Sequence, residues 1–174
     1  DSKGVQDALK ACAGILFVLC CIFNFRLSDG RFGPRRGAAF CRLMLAGQIF
    51  ACAGDIGLNF DFVTGAALFA VGHVLFFASF CALEGLTFRG FAAAAAVAVP
   101  SFCLLLLYDG FDFRGFDAVI YAYAVIICCM LGKAISVGSS RLLDARIRIV
   151  VSAGAALFFF SDLMLVFHQF AGGG

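Results

Sequence analysis

Val63-Thr64-Gly65-Ala66-Ala67-Leu68-Phe69-Ala70-Val71-Gly72-His73-Val74-Leu75-Phe76-Phe77-Ala78-Ser79-Phe80-Cys81-Ala82-Leu83 is continuously apolar, and His73 is its one acidic or basic residue. A helix needs roughly 20 residues at 1.5 Å each to cross the hydrocarbon core of a bilayer. The stretch does not alternate apolar and polar residues, as a strand of a membrane barrel would. It therefore predicts a transmembrane helix, whose backbone groups are all paired within one segment.

The same reading extends along the chain. Further spans are expected at about Ala8–Phe25, Ala38–Leu58, Phe91–Tyr108, Asp117–Lys133 and Ile147–Phe167. The links are short: Arg26–Gly37, Asn59–Phe62, Glu84–Gly90, Asp109–Phe116 and Ala134–Arg146. None holds a soluble domain. The expectation is an all-α, polytopic transmembrane bundle of about six spans, a single domain over residues 1–174. Composition agrees. Hydrophobic residues make up 63% of the 174 positions and charged residues 14%, against about 45–50% and 25% in soluble domains.

Composition also excludes function classes. No basic tract offers itself to nucleic acid. The nine cysteines lie in apolar runs and read as small hydrophobes rather than a disulfide frame. Their spacings fit no zinc pattern. With no Trp and 23 Phe, an interfacial aromatic belt has to come from Phe and Tyr. Asp1–Lys10 is mixed in charge and does not read as a signal peptide; the chain reads as cut from something longer. The oligomeric state is not legible.

Orientation follows from the 13 Lys and Arg residues. Ten fall on one side of the expected spans: Arg26, Arg31, Arg35, Arg36, Arg42, Arg89, Lys133, Arg141, Arg146 and Arg148. Lys3, Lys10 and Arg114 fall on the other. The positive-inside rule makes the Arg-rich loops 26–37 and 134–146 cytoplasmic.

Ionisable groups within spans are costly and mark function by default. Asp55, His73 and Asp162 are such groups, and Lys10 begins the first run. Counting from the inner helix ends puts Asp55 and Asp162 both about 20–22 Å up, in the outer half. Lys10 and Tyr121 start descending helices and share that layer, with His73 deeper. Each aspartate follows a small residue, in Gly54-Asp55-Ile56-Gly57-Leu58-Asn59-Phe60 and Ser161-Asp162-Leu163-Met164-Leu165-Val166-Phe167. The residues alone admit several uses. They suit paired acid–base catalysis, a proton-coupled transport site, a structural protein with polar helix glue, or a mixed Asp55–His73–Asp162 metal site. No Gly-x-Ser-x-Gly elbow and no His-Glu-x-x-His occurs. The Arg141–Arg148 run is a topology signal that also suits lipid phosphates.

Gly54-Asp55-Ile56-Gly57-Leu58, followed by Gly65 through Phe76 with Phe69 and His73 in step, resembles the YhhN family of lysoplasmalogenase-like membrane proteins. The family pattern is Gly-Asp-x-x-Leu, then Gly-x-x-x-Phe-x-x-x-His with an aromatic three residues on. Phe158-Phe159-Phe160-Ser161-Asp162 is similar to its second motif, and Tyr121 through Met130 to its Tyr/Met helix. Lys10 sits where the family has Lys-Pro, although Ala11 follows here. The resemblance spans about residues 8–170. Family members have about eight helices, so this chain would lack the first and the last.

The resemblance implies hydrolysis of the vinyl ether bond of lysoplasmalogens to a fatty aldehyde and a glycerophospho-base. A lysophospholipid substrate in membrane lipid is implied; from the residues themselves, no cofactor and no metal is expected. Vinyl ether cleavage requires a proton delivered to carbon and an oxocarbenium ion, work that two carboxyls divide in glycosidases. Neighbouring carboxyls titrate as a pair, and one proton held near neutral pH suits a general acid. Asp55, Asp162 and His73 are the implied catalytic set, and Lys10, Tyr121 and Ser161 the implied substrate-binding set. Which aspartate is the acid stays open at this level.

Overall fold

The computed structural model describes residues 36–140 and 145–171. Among them the chain is all-helical: α1 Arg36–Gly57, α2 Phe62–Glu84, α3 Phe88–Leu107, α4 Asp117–Ser139 and α5 Ala145–Phe170. All five are long and apolar enough to cross a membrane, as an integral membrane protein requires. The expectation of about six spans thus stands at five among the described residues. The remaining run, Ala8–Phe25, lies outside them. The chain divides into two compact units on either side of the Gly85–Leu86 bond.

In the first unit, α1 packs antiparallel on α2 through small residues. A Cβ on Gly47 would fall 2.6 Å from the Phe76 ring, one on Gly54 2.7 Å from Phe69, and one on Gly65 2.7 Å from the Leu58 backbone nitrogen. Membrane helices lack a hydrophobic drive to associate, so such close approach supplies their dispersion contact. The buried stripe of α2 is Gly65, Ala66, Phe69, Gly72, His73, Phe76, Ser79 and Phe80, at three- and four-residue steps. Asp61 caps α2, accepting from the Thr64 N–H at 2.8 Å and the Thr64 hydroxyl at 3.0 Å. Those bonds, the backbone one first, hold its carboxyl below the usual value.

In the second unit, α4 lies between α3 and α5. α3 starts three residues before the expected Phe91, because Thr87 caps it by accepting from the Gly90 N–H at 3.2 Å. α3 runs through Pro100 without ending, and the Ser101 hydroxyl donates to the Val97 carbonyl at 2.8 Å. The link 108–116 folds back on the end of α5: the Asp112 N–H donates to the Phe170 carbonyl at 3.1 Å. Gly115 (φ 86°) and Arg114 (φ 51°) make the reversal, a conformation in which glycine meets no Cβ penalty. Tyr108, Phe111, Phe113, Phe167 and Phe170 cluster there, with centroid separations from 4.9 to 5.8 Å.

The expected end of the fifth span at Lys133, and the link Ala134–Arg146 after it, are corrected. α4 continues to Ser139, with Ala134 and Val137 fully buried. The charge of Lys133 marked the end in the sequence, yet Lys133 is only 2% exposed. Its stem lies against the glycine surface of α3, the Lys133 Cδ being 3.5 Å from a notional Cβ on Gly90. The next turn carries Ser136, whose hydroxyl hydrogen-bonds the Thr87 hydroxyl at 2.8 Å. A long aliphatic stem lets a lysine extend an apolar helix past its own charge.

Candidate functional site

In the first unit the motif residues separate by role. Gly54 makes room for the Phe69 ring, and Gly65 makes room for Leu58. These three motif positions, two glycines and a phenylalanine, are explained by packing. Asp55 and His73 are the ionisable residues of the same block. Asp55 is half-buried near the C-terminal end of α1. His73 is 0% exposed, its ring 6.4 Å from Phe69 and 6.2 Å from Phe76. The packing register sets Gly57 beside Gly65 and Gly47 beside Gly72. His73 therefore lies about 10 Å further along the helix axis than Asp55 at 1.5 Å per residue.

The second unit holds Asp162, Ser161 and Tyr121. Asp162 is 7% exposed on α5. The Tyr123 hydroxyl of α4 donates to its Oδ2 at 2.7 Å. Ser161 is exposed. Tyr121, the tyrosine singled out from the sequence, packs elsewhere: its ring lies 6.0 Å from Phe102 and 6.1 Å from Phe113. Residues two apart on a helix point about 200° apart, so one face of α4 cannot offer both tyrosines to α5. Spacing alone gave no means of choosing between them. The signal for Tyr123 was its register with Ile120 and Ile127, three before and four after, both buried.

Lys10 lies outside the described residues. The buried cation that the structure does display, Lys133, escaped the sequence reading because it sat at the expected edge of a span. Within each unit, among the described residues, no three His, Cys, Asp or Glu side chains gather in a metal-ligating group.

No solved structure matches this chain. The profile of the YhhN family matches residues 6–173, nearly the whole length. That range takes in the Gly54-Asp55 and Gly65…His73 block of the first unit and Asp162 of the second, and the chain belongs to the YhhN family.

Proposed function

We propose that this protein is a membrane-embedded hydrolase of the lysoplasmalogenase type, which opens the vinyl ether bond of a lysophospholipid. One observation carries the reading. In a YhhN-family chain, the carboxylate of Asp162 is buried in a span and held by a short hydrogen bond from a neighbouring helix. An intramembrane carboxyl is expensive and is kept where it serves a pathway or a reaction.

The chemistry follows from the substrate bond. A carboxylic acid gives its proton to the β-carbon of the vinyl ether, and the π pair forms the new C–H bond. The α-carbon becomes an oxocarbenium ion, which a second, ionised carboxyl stabilises. Water adds to that carbon and returns a proton to the acid. The resulting hemiacetal breaks its bond to the glycerol oxygen, releasing a fatty aldehyde and the glycerophospho-base. Asp55 and Asp162 supply the two carboxyls. His73 orients one of them or the water, and Lys10, Ser161 and Tyr121 contact the substrate.

The test is direct. Purified protein incubated with a lysoplasmalogen should release aldehyde and glycerophospho-base in equal amounts. It should leave an ester-linked lysophospholipid intact. Absence of aldehyde from folded protein rejects the hydrolase. The Tyr123–Asp162 bond also favours a second reading, in which the polar groups are helix glue. Under that reading no aldehyde appears, and Asn at either aspartate lowers stability instead. Transport calls for broken helices near the midplane, whereas all five described helices are continuous.

The charge distribution further assigns loops 26–37 and 134–146 to the cytoplasm, the second shortened by the extension of α4 to Ser139. On a cysteine-free background, Arg31→Cys and Ala145→Cys should react with an impermeant thiol reagent only from the cytoplasmic face. Labelling from outside refutes the orientation.

A further inference from the structure

We propose that Phe69 and Phe76 are positioning residues of His73, each seated by a glycine of α1, so that the packing of two helices fixes the orientation of one imidazole. The inference lies wholly within the first unit. It rests on the hydrolase reading above, in which His73 orients a carboxyl or the water.

Spacing comes first. Phe69 stands four residues before His73 and Phe76 three after, so both lie on its face of α2, one turn to either side. All three belong to the buried stripe of that helix. The Phe69 ring centroid is 6.4 Å from that of the imidazole, with the planes 21° apart; the Phe76 centroid is 6.2 Å away at 57°. Both separations fall in the range where aromatic rings attract through offset or tilted contact. The terminal torsion of a histidine is broad, so its own backbone does not fix the ring plane. A phenyl ring on each side along the helix narrows that torsion.

The phenyl rings are seated in turn by α1. A Cβ on Gly54 would meet three atoms of the Phe69 ring, the nearest at 2.7 Å, and one on Gly47 would meet the Phe76 ring at 2.6 Å. The notional Cβ of Gly47 is also 3.1 Å from the Gly72 carbonyl oxygen, so the two backbones approach beside His73 itself. The order of dependence is therefore α1 glycine, α2 phenyl ring, imidazole. Phe69 and Phe76 act through His73 and take no part in bond making.

Two measurements on the full chain test this. The first needs no turnover. The chain has two histidines, so in a His168→Gln background with isotope-labelled histidine the ring signals in an NMR spectrum belong to His73. Phe69→Leu and Phe76→Leu should each move those signals, because the ring current of a neighbouring phenyl is lost. Phe80→Leu is the matched control: Phe80 is 3% exposed on the same stripe but about 10 Å along the axis from His73. It should lower the unfolding midpoint and leave the signals in place. Unmoved signals in the first two variants, or an equal change in all three, overturn the bracket. The second measurement is kinetic. Phe69→Leu should lower kcat roughly tenfold, between the scale of one aromatic contact and that of an ångström-scale misplacement. KM should stay within about twofold. Gly54→Ala should lower kcat and the unfolding midpoint together. Adding Phe69→Leu to it makes room for the methyl group, so the midpoint should recover while kcat and the His73 signals do not. Recovery of kcat with the midpoint shows packing alone and overturns the positioning role. A wild-type chain that releases no aldehyde removes the hydrolase reading, and the NMR comparison still decides whether the two phenyl rings hold the imidazole.

Discussion

Asp55→Asn and Asp162→Asn are each expected to lower aldehyde release by roughly 10²-fold or more, the usual scale for a lost general acid or base. Asparagine keeps the shape of aspartate and can still bond across helices. In membrane proteins such bonds are worth only about 0.6 kcal/mol on average. Folding should therefore change far less than turnover. In Asp162→Asn the amide keeps a carbonyl oxygen that accepts from the Tyr123 hydroxyl, where Asp162 Oδ2 now accepts at 2.7 Å; only the charge is lost. The double variant should be little worse than the poorer single, since residues acting as a unit are not additive. His73→Gln should have the smaller effect if the imidazole orients. Full activity in either purified, folded Asn variant defeats the paired-aspartate mechanism. Loss of expression in both instead supports the helix-glue reading.

Gly132→Ala should be the most damaging single methyl in the second unit. A Cβ at this position would strike the backbone nitrogen and Cα of Ala94, as well as its Cβ. A flexible side chain could turn away; a helix backbone cannot, so α3 and α4 must separate. Overpacking of this kind costs about 1–3 kcal/mol, and separation also disturbs the Thr87–Ser136 bond one turn away. Gly154→Ala is the matched control. Nothing lies within 4 Å of its notional Cβ, and alanine is the better helix former by about 1 kcal/mol. Thermal unfolding in one detergent should show a lowered midpoint for the first variant and none for the second. Equal midpoints would mean that the α3–α4 crossing is not as tight as described.

Much of this was legible in advance, and the reasons are specific. Continuous apolarity over Val63–Leu83 leaves lipid as the solvent and helix as the backbone solution, and α2 spans Phe62–Glu84. The same reasoning placed four further helices to within a few residues at most ends. It failed at Lys133, where a charge was read as an edge. Whether a lysine ends a helix or lies along it depends on a neighbour that accepts its stem. That neighbour, Gly90, lies on a different helix, far back along the chain.

The motif residues show the same boundary. Gly54, Asp55, Gly65, Phe69, His73 and Asp162 could be picked out because each residue type is unusual or regularly spaced within a span. Their division into packing and chemistry could not, since it depends on which ring fills which glycine. By itself the sequence determined the membrane setting, the helical class, the family pattern and the candidate carboxyls, because hydropathy and local spacing are properties of single segments. Only the tertiary structure decided that Tyr123 rather than Tyr121 reaches Asp162, and that Lys133 is buried. Those outcomes turn on the rotation and register of one helix against another. Such geometry is set by close contacts between distant residues and leaves no trace in the spacing along the chain.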